Sequence, residues 1–124
     1  MEFRRKALFV AGGHTTNPPE ESTYAGVVSR ESVRIDFTLA ALNDLDIFAA
    51  DIQNAYLTSP CGENIIFTCG PEFGSEHKGN TAVVVQALYG LRSIGSAFRN
   101  HLDSCIEALN YLPCRSYLDI WMRK

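Results

Sequence analysis

The sequence has no long apolar run. Nothing in its 124 residues approaches the ~18 apolar residues that span a membrane. The opening Met-Glu-Phe-Arg-Arg-Lys is not followed by a signal-peptide core. We therefore expect an intracellular protein, cytoplasmic or nuclear, with no membrane contact. A basic excess is lacking too, since the net charge is −3. Domains that grip nucleic acid unaided are usually basic, because phosphate neutralisation supplies most of the affinity. This argues against strong independent nucleic-acid binding but leaves open a place as one wall of a larger basic cleft. The cysteines, Cys61, Cys69, Cys105 and Cys114, form no C-x-x-C pair, and no histidine stands at finger-like spacing. They read as reduced thiols, some of them in the core. Phosphate-binding G-x-x-x-x-G-K-S/T, dinucleotide-binding G-x-G-x-x-G and the G-x-S-x-G nucleophile elbow are all absent. His14, His77 and His101 fall in a linker, a loop and a helix, and none is expected to be catalytic. No internal repeat or low-complexity tract is present.

What remains is ordinary for a globular protein: 46% hydrophobic and 20% charged residues. We expect one domain over 1–124, burying roughly two-thirds of its unfolded surface. A basic start, Arg4, Arg5 and Lys6, runs into a strand ending at Gly12-Gly13. The cations are either a solvated strand end or contacts to phosphate. After an Asn-Pro-Pro connector, 23–28 reads as a packed, irregular apolar segment. Ser29 is a plausible helix N-cap and Glu31 suits the first turn, so a helix is predicted over about 29–43. Ile35, Leu39 and Leu42 recur at helical spacing with Val33 and Phe37 alongside, a stripe broad enough to predict burial on more than one side. Strands are predicted at 45–50, 64–69 and 81–86, with a polar loop at 74–80. A second helix is predicted over about 93–110, its apolar stripe formed by Ile94, Phe98, Leu102, Cys105, Ile106 and Leu109. Pro113 is expected to stop the chain that follows, and 117–122 is either a last strand or a frayed end. The sum is an α+β fold, helices on one face of a mainly antiparallel sheet.

The organising stretch is Asp-Ile-Gln-Asn-Ala-Tyr-Leu at 51–57. Upstream, 45–50 reads as a short buried strand. A carboxylate at such a strand's end sits where a sheet presents chemistry to a ligand. Asp51 is then either a metal-binding acid or an ordinary turn aspartate. Downstream, Ala-Leu-Tyr-Gly-Leu-Arg at 87–92 makes a bend around Gly90, with Ala-Phe at 97–98.

These motifs, in this order, resemble the reverse transcriptase of copia-type LTR retrotransposons. Further stretches agree: Lys-Ala-Leu-Phe-Val-Ala at 6–11, Val-Ser-Arg-Glu-Ser-Val-Arg at 28–34, Pro-Glu-Phe-Gly at 71–74, and Cys114 to Arg123. The resemblance implies a fingers-palm fragment of an RNA-directed DNA polymerase acting on an RNA or DNA primer-template and dNTP. It implies that Asp51 and the backbone carbonyl of Ile52 bind Mg²⁺. It places Tyr56 beneath the incoming sugar, Tyr89 and Gly90 in the nucleotide pocket, and Lys6 and Arg5 near the triphosphate. Arg92 is then a contact to backbone phosphate, or else a solvent-facing arginine. Four departures stand out. The family's Tyr-Val-Asp-Asp hairpin, with two of its three catalytic acids, is not in the sequence. Leu8 stands where the family has a cation, Gly95 where it has proline, and Ser116-Tyr117-Leu118 where it has Ala-Asp-Pro. The expectation is a truncated chain, inactive alone and prone to self-association through an uncovered sheet edge. The alternatives are a non-catalytic α+β module for protein or nucleic-acid contacts, or a piece with no stable fold of its own.

Overall fold

The computed structural model describes residues 8–17, 19 and 23–123. Its regular elements are α1 (Arg30–Leu42), β1 (Ile66–Thr68), β2 (Thr81–Val83), α2 (Ile94–Ala108), β3 (Leu112–Pro113) and β4 (Trp121–Met122). One-turn 3₁₀ helices lie at Ala55–Thr58 and Pro71–Phe73. The mixture is α+β, with two helices and two small antiparallel sheets, β1–β2 and β3–β4. The chain divides into two compact units, 1–24 with 54–99, and 25–53 with 100–124.

Local chemistry explains both helices. The Ser29 hydroxyl accepts the Ser32 N–H at 2.9 Å, and Glu31 stands in the first turn. At the far end, Asp44 turns left-handed and the Leu45 N–H closes back onto the Ala40 carbonyl at 3.0 Å. Helix α2 ends the same way around left-handed Asn110, with Tyr111 N–H donating to Ile106 and Asn110 N–H to Glu107. This is the Schellman arrangement, built on aspartate in α1 and asparagine in α2 in place of glycine.

In the first unit, β1 and β2 pair in register Ile66↔Val83, Phe67↔Ala82 and Thr68↔Thr81. The predicted strands extend further, and pairing does continue, but irregularly. Cys61 N–H donates to Val85, and Ala87 N–H to Ser59. Val84 N–H donates to Ile65, so residues 62–64 bulge out opposite the junction of Val84 and Val85. Cys69, Val84, Ala87 and Leu91 form the small buried core here. Phe9, Phe67 and Phe73 gather nearby with ring centroids 5.4–5.8 Å apart. Among the described residues of the predicted N-terminal strand, only Val10 makes a β-bridge, parallel to Tyr89.

The second unit departs most from expectation. The predicted strand 45–50 is not a strand, and every residue of it is exposed. A strand requires a partner for its N–H and C=O groups, and no described segment pairs with it. Helix α1 buries only Ser32 and Ala40, while Val33, Phe37, Leu39 and Leu42 are exposed. Within its unit, the other regular elements are the end of α2 and a hairpin of two-residue strands. These are too small to cover a broad apolar stripe. The 23–28 segment is exposed rather than packed, with Val27 86% accessible. Pro113 does not stop regular structure but lies in β3, opposite Trp121 in β4. The four cysteines are free thiols, and Cys69 is buried.

Candidate functional site

Three of the expected nucleotide-pocket residues are assembled in the first unit. The Asn54 backbone is left-handed (φ 53°) and starts the 3₁₀ turn that carries Tyr56. The Tyr56 ring meets Tyr89 edge-to-face at 5.6 Å, and meets Phe98 of α2 in the same manner at 5.6 Å. Such pairs contribute roughly 0.5–1.5 kcal/mol each beyond burial. Tyr56 nevertheless keeps an accessible surface.

The bend at Tyr89-Gly90 is fixed by residues 10–13, which bridge at Val10 and then turn. Ala11 N–H donates to the Tyr89 carbonyl at 2.7 Å, and Arg92 Nε donates to the Gly13 carbonyl at 2.8 Å. Gly90 has φ 93°, and a Cβ there would stand 2.1 Å from the Ala11 carbonyl oxygen. A Cβ on Gly13 would stand 2.0 Å from the Gly90 carbonyl oxygen. The two segments therefore meet backbone to backbone, which only glycine allows at these positions. Arg92 is exposed but tethered by one nitrogen.

Asp51 and Ile52 belong to the other unit. Both are exposed, on a stretch without regular structure. Asp51 is thus not at the end of a buried strand, because 45–50 finds no partner. No group of three or more His, Cys, Asp or Glu able to hold a metal exists among the described residues. Lys6 and Arg5 lie outside the described residues.

The sequence reading passed over Gly13, Phe98 and Glu63 as site residues. Gly13 stands in the sequence only as half of a breaking doublet, and Phe98 only within the α2 stripe and the Ala-Phe motif at 97–98, neither with a site role. Glu63 carried no local signal, since its partner is thirty residues away.

The reverse transcriptase (RNA-dependent DNA polymerase) family profile matches residues 1–124. The chain belongs to that family. No curated protein and no solved structure matches it. Membership in the reverse transcriptase family implies nucleic-acid substrates and a divalent metal. Among the described residues, no helix is long and apolar enough to cross a membrane.

Proposed function

We propose that the chain is a fingers-palm portion of a copia-type reverse transcriptase, built for RNA-directed DNA synthesis. The family match over the whole chain carries this reading. The grouping of Tyr56, Tyr89 and Gly90 supports it. In the proposal, Tyr56 underlies the nucleotide sugar, and the Tyr89-Gly90 bend lets backbone approach a base or template closely. The free N–H donors of Arg92 face a backbone phosphate. Lys6 and Arg5 approach the triphosphate. Asp51 and the Ile52 carbonyl offer hard oxygen ligands, the type that suits Mg²⁺. One carboxylate does not complete an Mg²⁺ site, however, because Mg²⁺ holds its hydration shell against so few fixed oxygens.

The reading therefore expects an inactive chain. Purified protein with Mg²⁺, a primed template and labelled dNTP should incorporate no more than its Asp51→Ala variant. Incorporation by the wild type that disappears in Asp51→Ala would overturn the inactivity. Primer-template binding should be measurable at ~50 mM salt, fall as salt rises, and weaken in Arg92→Ala. No binding at low salt would remove the nucleic-acid role. That result would leave the second reading, a non-catalytic interaction module, which the exposed apolar surface of α1 and 45–48 favours.

A further inference from the structure

Among the described residues β1 and β2 form a two-stranded sheet, so each strand keeps one side without a partner. The ladder fixes which groups face that side. The Cys69 N–H donates to Asn80 at 2.9 Å and the Val84 N–H to Ile65 at 2.9 Å. Phe67 stands opposite Ala82 between them. Alternate residues of an antiparallel ladder bond inward. Residues 80, 82 and 84 therefore face β1, and the N–H and C=O groups of Thr81 and Val83 point away from it. No backbone partner meets them among the described residues. Both side chains are exposed, Val83 to 60%.

Sheet edges are usually guarded by a charge, a proline or a bulge. The β2 side has none of these. No charged residue and no proline occurs from Gly79 to Leu91. Within that span, Thr-Ala-Val-Val-Val-Gln at 81–86 is uncharged and rich in β-branched residues. That is the composition of strands that pair with their own kind. The β1 side is guarded. The chain leading into it bulges at 62–64, where Glu63 turns in to accept the Ser93 N–H at 3.1 Å. Thr15, Asn17 and Pro19 also share a cavity wall with Ile66.

We propose that the open side of β2 pairs with the same stretch of a second copy of this chain. The second copy is the occupant because the pairing closes on itself. With the strands antiparallel about Ala82, Thr81 of one copy lies opposite Val83 of the other. Each outward N–H then meets an outward C=O across a twofold axis, and no like charges are set against each other. The product is a four-stranded sheet in the order β1–β2–β2–β1. The inference goes beyond the polymerase reading and does not rest on it.

The test is amide hydrogen exchange, read residue by residue on the full chain at about 20 µM and about 1 mM. Phe48→Glu serves as the background, because it weakens association through the exposed apolar groups of the other unit. Pairing over so few residues is weak, with an expected Kd of about 0.1–1 mM. Thr81 and Val83 should then exchange about two- to fourfold slower at the higher concentration, while Ile66 and Thr68 do not change. Val83→Lys sets a charge on the edge and should abolish the slowing at Thr81. If Val83→Lys fails to fold, Thr81→Lys replaces it, with Val83 as the reporter. Exchange at Thr81 and Val83 that ignores concentration overturns the proposal. So does slowing at Ile66 and Thr68 in their place, and so does slowing that survives the lysine.

Discussion

Gly90 and Gly13 each occupy the space the other's side chain would need. Gly90→Ala forces a residue with a Cβ to hold φ near 93° and pushes that atom into the Ala11 carbonyl. The conformation alone costs roughly 1–3 kcal/mol, and the clash adds to it. Gly79 provides the comparison, because its φ of 86° is as strained but nothing lies within 4 Å of an added Cβ. Chemical denaturation should therefore rank Gly90→Ala well below Gly79→Ala in stability. Equal losses would mean that the backbone-to-backbone contact contributes nothing. Asp51 stands at the other extreme. Its side chain is exposed, so Asp51→Ala should change stability by less than about 0.5 kcal/mol. A Tyr56→Ala change should cost more, since two edge-to-face ring contacts disappear with it.

At the level of elements, helix α1 is held mainly by its own ends. Few of its side chains are buried, so its cap carries an unusual share of its stability. Ser29→Ala removes the acceptor for the Ser32 N–H and should cost about 1 kcal/mol, read as lost helicity and a lower melting temperature. Asp or Asn at position 29 should restore it, and failure to restore would point to the Ser29–Ser32 hydroxyl contact instead. In the first unit, the β1–β2 pair extends beyond its regular ladder only by stepping around the 62–64 bulge. The bulge keeps the pairing and at the same time delivers an acid from a loop to a helix start.

For the whole molecule, the decisive quantity is surface. Among the described residues, large apolar side chains stand on that surface: Phe37, Leu42, Leu45, Ile47 and Phe48 are exposed, Phe48 to 91%. We expect the purified chain to associate as concentration rises, seen as growing mass in light scattering. Phe48→Glu should reduce association while changing folding stability by less than about 0.5 kcal/mol. A monodisperse wild-type monomer at high concentration would count against this.

The helices were readable from residues alone because their bonds and caps are local. Ser29, Glu31 and Asp44 specify α1 within a few positions of where it begins and ends. The Tyr-Gly bend at 89–90 and the aromatic at 56 were likewise visible as motifs. Tertiary structure decided what pairs and what is buried. Leu45 to Ala50 has the composition of a buried strand, yet hydrogen-bond pairing and burial depend on partners elsewhere, and none of the described residues supplies them. Composition likewise could not set Glu63 against Ser93, or Gly13 against Gly90. Those contacts join residues far apart in the chain, and only folding brings their backbones within reach.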